Sequence, residues 1–131
     1  WRYLLTIAEI HMRAGDDRNA RIWMEHALFQ AERRREDLGS LRSHHLMGRL
    51  LRSIGQMMLA DQHLGRALES GRKLGDRRSC AEVLLERAEL RRASRKPDDA
   101  RRLAEEARRL AELLEWPRGV DEADALLAKL A

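Results

Sequence analysis

The sequence predicts an all-α fold, an array of antiparallel helical hairpins with about seven helices, and three observations carry that prediction. Small residues recur 40 positions apart: Ala20, Ala60 and Ala100 align, as do Ala27, Ala67 and Ala107, and as do Ala8, Gly48 and Ala88. Apolar residues between them return every three or four positions, the period of a helix with one buried face. Turn-forming residues separate the periodic stretches, at Gly15-Asp16-Asp17, Gly55, Gly75-Asp76, Pro97 and Pro117. A fixed period of this length marks a solenoid, in which a repeat cannot bury its apolar face alone and contacts mainly its neighbours. Small side chains at matched positions let helix backbones approach closely.

Each element follows in order. The first helix covers about residues 1–13, with Leu4, Ile7, Ala8 and Ile10 on one face. Asp17 reads as the N-cap of a second helix over about 18–34, whose inner face carries Ala20, Met24, Ala27, Leu28 and Ala31. The third runs over about 37–53 through Leu41, Met47, Gly48, Leu50 and Leu51, and Gly55 ends it as Gly15 ends the first. The fourth, about 57–73, presents Ala60, Leu64, Ala67 and Leu68. Asp76 caps a fifth over about 77–93, striped by Ala81, Leu84, Leu85 and Ala88. Pro97 stands at the first turn of the sixth, where its missing N–H costs nothing, and Asp98 and Asp99 suit that end of the helix dipole. That helix carries Ala100, Leu103, Ala104, Ala107 and Leu110 to about 114. Pro117 opens a last helix through Leu126, Leu127 and Leu130, in register with the fifth. The reading is one domain over 1–131: repeats at 1–36, 37–76 and 77–116, and a closing helix at 117–131. A chain that opens on Trp1 inside a helical pattern reads as a fragment of a longer protein.

Composition narrows the function classes. Charged residues make up 37% and aromatics 4%, a mixture that suits a well-solvated helical protein. No run approaches 18 apolar residues, so no membrane partner is expected. Cys80 is the single cysteine, which excludes an internal disulfide and suits a reducing compartment; the expected location is cytoplasmic. Net charge is +4, and the basic residues are nearly all arginine, with lysine only at 73, 96 and 129.

Chemistry-bearing motifs are few. Arg33-Arg34-Arg35 and Arg91-Arg92 are interleaved with Glu32, Glu36, Asp37 and Glu89, without aromatic platforms among them, which argues against nucleic-acid binding. His44 and His45 are adjacent, so on a helix they point about 100° apart and cannot share a metal without a third element. No metal-binding or redox spacing occurs, so no metal, cofactor or enzymatic activity is expected. His44 replaces Leu4 and Leu84 in the register and reads as a packing residue. Arg87 falls at a core position, where an unpaired charge is costly; three readings are open, that it runs its stem along the stripe, pairs with Glu122 or Asp124 of the last helix, or sits in a locally rotated helix. Trp23 and Phe29 are expected to face outward. Trp1 and Tyr3 leave the N-terminal face apolar and open, from which homodimerisation through that face is expected.

Within a unit, the first gives Leu4, Ile7, Ala8, Ala20, Met24 and Ala27; the second Met47, Gly48, Leu51, Ala60, Leu64 and Ala67; the third Leu84, Ala88, Ala100, Ala104 and Ala107. This pattern resembles the tetratricopeptide (TPR) repeat over essentially the whole chain. Departures are a spacing of 40 rather than about 34 residues, and Glu32, Arg72 and Glu112 in place of the motif's proline. His11, Arg87 and Arg91 also stand where apolar residues are usual. The longer form is similar to repeats in large bacterial signalling proteins, including transcription regulators and kinases. The resemblance implies a right-handed superhelix whose groove binds protein or peptide without catalysis. Carried over residue by residue, the groove positions are Arg2, Leu5, Glu9, Met12 and Arg13, then Arg42, His45, Arg49, Arg52 and Ser53, then Glu82, Leu85, Glu89, Arg92 and Ala93. Arg49, Arg52 and Arg92 are expected to form a patch for an acidic peptide, because guanidinium forks bind carboxylates with paired donors, with Leu5 and Leu85 as apolar contacts. Leu5, Glu9 and Leu46 occupy the positions of the family's carboxylate clamp, which argues against its chaperone-binding version. Two other readings are a sensor of a small ligand or signalling peptide, and a structural oligomerisation segment.

Overall fold

A computed structural model of the protein describes residues 1–131 as seven α-helices without a strand: α1 (Arg2–Arg13), α2 (Asp17–Arg33), α3 (Asp37–Ser53), α4 (Met57–Leu74), α5 (Arg77–Ala93), α6 (Pro97–Leu113) and α7 (Pro117–Lys129). From α2 onward a helix starts every 20 residues, and the chain is an all-α array of helical hairpins. Each turn is set by one residue in the left-handed backbone region: Gly15, Arg35, Gly55, Gly75, Arg95 and Glu115, with φ between 51° and 85°. At five of these turns the next residue donates its N–H back five positions, as from Asp16 to the His11 carbonyl at 2.8 Å and from Lys96 to Arg91 at 2.9 Å. That bond satisfies a carbonyl the helix end would leave bare.

Helix starts follow local chemistry. Asp16, rather than the expected Asp17, caps α2: its carboxylate accepts from the Asn19 N–H at 3.2 Å, and Asp17 is already helical. The left-handed Gly15 ends one residue earlier than the run of acids suggested, which moves the cap with it. Asp76 caps α5, accepting from the Ser79 N–H at 3.0 Å and hydroxyl at 2.7 Å. Pro97 and Pro117 occupy the first turns of α6 and α7.

Internal contacts divide the chain into two compact units, Trp1–Leu74 and Gly75–Ala131, which part within two residues of the junction between the second and third repeats. In the first, α1 pairs with α2 and α3 with α4, and α2 packs on α3. Short turns make successive helices antiparallel. Met24, Leu41, Leu50, Leu51 and Leu64 form its core. Gly48 is required by close approach: a Cβ there would lie 2.8 Å from two carbons of Leu64. In the second unit, α5 pairs with α6, and α7 covers both. Its core joins Ala88, Ala104 and Leu126, flanked by Leu103 and Leu127. Trp116 lies over Gly119, with the Arg78 guanidinium 3.7 Å from its ring centroid. Ala8, Ala20, Ala27, Gly48, Ala60, Ala67, Ala88, Ala100 and Ala107 are all buried.

Two expected core positions differ. Arg87 is half-buried, because the buried face of α5 extends through Val83 and Leu90 on its other side. Asp124 meets Arg108 of α6 at 2.6 Å, and Glu122 meets Arg118 at 3.4 Å. Ile10, placed on the inner face of α1 from spacing, is 60% exposed; Leu4, Leu5 and Ala8 turn inward instead.

Candidate interaction surfaces

Among the carried-over groove positions of the first unit, Arg2, Glu9, Arg13, Arg42 and Arg49 are exposed, while His45 and Arg52 are half-buried. Arg42, His45, Arg49 and Arg52 follow one another at spacings of three and four, so they share one face of α3. Asp37, in the first turn, is the only acidic residue of that helix, and the face is therefore basic. In the second unit Glu89 and Arg92 are half-buried and bound to each other, with Arg92 Nε donating to Glu89 at 3.0 Å. Glu89 holds the guanidinium more firmly protonated than usual through that bond and its charge. Arg92 is thus matched within its own helix, unlike the expectation of a cation aimed at a peptide.

The apolar contacts expected of Leu5 and Leu85 are corrected. They are 6% and 8% exposed, because both side chains pack within their units instead of facing a groove. Trp23 is half-buried with its ring 6.1 Å from that of His26, whereas Phe29 is exposed. Trp1 packs against Gly39: a Cβ on that glycine would meet Ala31 at 2.7 Å and the indole at 2.9 Å. The indole N–H also donates to Glu36, and the terminal amine donates to Gln30 at 3.0 Å. Tyr3 stays 65% exposed. An open hollow on α2 is lined by His26, Phe29, Gln30, Arg33 and Arg34.

One constellation escaped sequence reasoning. His44 of α3 is buried, and its Nδ1 lies 2.9 Å from Nδ1 of His63 on α4. Its Nε2 faces Glu32 of α2 at 3.6 Å. Burial first, then the neighbouring His63 and Arg66, lower the His44 pKa from 6.5 to about 4. His63 is also lowered, by burial and by Arg21 and Arg66, against an opposing pull from Glu25. One Nδ1–H can donate to the other ring's unprotonated Nδ1 across this contact, whereas protonating both rings sets two donors face to face. His63 aligns with Trp23 and Leu103 in the register, so no repeated signature announced the pair. The expected packing role of His44 fits its burial, and no three ligating side chains converge anywhere in the chain. No helix is long and apolar enough to cross a membrane.

These features define a helical-repeat protein. No protein-family model matches the chain, and no curated protein does. Among solved structures it is similar to one described as "DHF79 filament", with a TM-score of 0.46 and 21% identity over 98% of this chain and 81% of the other. A likeness at that level is too loose to bear on what this chain does.

Proposed function

We propose that the chain is a non-catalytic scaffold of the TPR type that binds protein or peptide, as a cytoplasmic module of a larger bacterial signalling or transcription-regulatory protein. The observation that carries this reading is the exposed basic face of α3. Exposed Arg42 and Arg49, with half-buried Arg52 beside them, stand on a helix anchored by its opposite sides, so their forks are presented by a rigid rod rather than a loop. A fixed row of guanidinium groups selects carboxylates spaced along an extended or helical segment. The partner is accordingly an acidic peptide. A labelled peptide of alternating glutamate and leucine pairs serves as the probe, read by fluorescence anisotropy. Salt-sensitive binding is expected to weaken at least tenfold in Arg49→Glu/Arg52→Glu; unchanged affinity removes the reading. Self-association, the second reading, draws on the exposed Tyr3 and Ile10 of α1.

A further inference from the structure

The turns that join α1 to α2, α3 to α4 and α5 to α6 share one backbone form. In each, a left-handed residue (Gly15, Gly55 or Arg95) is followed by one whose N–H bonds back five positions: Asp16 to His11 at 2.8 Å, Gln56 to Leu51 at 2.9 Å and Lys96 to Arg91 at 2.9 Å. The side chains carried on that form differ. The first turn holds Ala14, Asp17, Arg18 and Asn19, and the third holds Ser94, Pro97, Asp98 and Asp99. At the same positions the middle turn holds Ile54, Met57, Met58 and Leu59. Ile54, Met58 and Leu59 are exposed, Met58 at 78%, and Met57 is half-buried. Polar and charged residues build the same turn in the other two hairpins, so its folding does not require apolar ones. The chain's ends do not account for the exposure either, because this turn lies mid-chain and its counterparts largely face solvent too. An exposed apolar cluster that the fold does not need marks a contact surface.

The charge around the middle turn differs as well. In the third hairpin Glu89 accepts from Arg92 at 3.0 Å and Asp99 from Arg91 at 2.9 Å, so the arginines near that tip have acids beside them. In the first, Asp16 faces His11 at 3.4 Å. The register puts Arg49 in the place of Glu89 and keeps an arginine at 52, and no acid stands between residues 53 and 60. Two arginines in the last two turns of α3 thus lead into the apolar tip. We propose that this tip receives an acidic amphipathic helix of a partner protein, its carboxylates on Arg49 and Arg52 and its apolar stripe across Ile54, Met58 and Leu59. An amphipathic helix carries both chemistries side by side, and the flexible thioether of methionine adapts to such a surface. Anionic lipid fits less well, because the tip has neither the tryptophan nor the tyrosine that anchors a protein at a membrane interface. The proposal rests on the acidic-peptide reading of α3 and adds what the partner carries besides carboxylates.

Fluorescence anisotropy with two labelled peptides tests it, one of alternating glutamate and leucine pairs and one with alanine in place of every leucine. The wild type is expected to bind the leucine peptide about tenfold more tightly, the worth of one well-covered leucine. Met58→Gln/Leu59→Gln is expected to lose that preference and keep its affinity for the alanine peptide; both side chains are exposed, and circular dichroism verifies that the variant stays folded. Arg49→Glu/Arg52→Glu is expected to weaken both peptides alike. In the wild type, the methyl resonance of Met58 is expected to shift on adding the leucine peptide while those of buried Met24 and Met47 stay in place. Equal binding of the two peptides overturns the proposal and leaves the α3 reading standing. A leucine preference that survives Met58→Gln/Leu59→Gln does the same. Failure of both peptides to bind overturns the two readings together. A wild type that shows no leucine preference but pellets with phosphatidylserine vesicles, where Met58→Gln/Leu59→Gln does not, overturns it in favour of a lipid surface.

Discussion

Arg35, Arg95 and Glu115 hold the left-handed backbone conformation that Gly15, Gly55 and Gly75 hold at the other three turns. For a residue with a Cβ that conformation costs roughly 1–2 kcal/mol, part of which glycine returns through its freer unfolded chain. Arg95→Gly is therefore expected to stabilise the protein by about 0.5–1 kcal/mol, and Gly55→Ala to destabilise it by about 1 kcal/mol. No atom lies within 4 Å of a Cβ added at Gly55, so the loss there is purely one of backbone. Urea midpoints check both signs, and a stabilising Gly55→Ala would contradict the account. The glycine turns were legible in the sequence because glycine announces a left-handed residue. Arg35, Arg95 and Glu115 were not, since their side chains favour other conformations and only the regular beat of the neighbouring turns places them. Leu5 and Leu85 were misread for a related reason: a position carried over from a resemblance fixes a place along a helix, whereas burial depends on what packs around it.

At the scale of the element, the hairpin of α3 and α4 joins around the His44–His63 contact, where its counterparts in the register place leucine at 4 and 84. A histidine whose folded pKa lies below its unfolded value refuses protons that the unfolded chain accepts. Stability is thus full above about pH 6.5 and falls as pH drops through that value, levelling near the folded pKa of about 4. For His44 the difference corresponds to roughly 3 kcal/mol between the two ends of that window. Glu32 offers a protonated His44 a partner at 3.6 Å, but that carboxylate is largely in solvent and offsets little of the loss. Urea unfolding at pH 7.5 and at pH 4.5 is expected to show the drop, and His44→Leu is expected to remove at least half of it. An unchanged pH dependence in that variant would place the acid sensitivity elsewhere. The helices themselves were legible, with each boundary within a residue of its expected place. The ring contact was not, because it joins residues 19 apart in the chain across two helices and needs their facing rotation to be known.

At the scale of the molecule, the two units share a register in sequence and differ in what fills each of them. The first is filled by Met24, Leu41, Met47, Leu50, Leu51 and Leu64; the helix α6 of the second buries Ala100, Ala104, Ala107 and Ala111. A fully buried leucine or methionine contributes about 1.5–3 kcal/mol, and an alanine far less. Local opening follows buried apolar area. Amide hydrogen exchange is therefore expected to be at least tenfold slower in α3 and α4 than in α6 and α7; equal protection would show that alanine packing contributes as much as leucine packing here. Composition and periodicity revealed the array, and the matched alanines marked its contacts. They gave no sign that contacts would gather into two units, because every repeat carries the same small residues and some of the larger ones recur too, Met24 as Leu64 and Leu50 as Leu90.

The metronomic turning of the chain also constrains how such a gene can change. One residue gained or lost inside a helix rotates everything beyond it by about 100° and carries arginines toward the interior. A gain or loss of 40 codons, by contrast, restores both the direction of travel and the phase. Length in this lineage is thereby quantised: it can grow or shrink by whole hairpins, while smaller slips are confined to the tips of the bends.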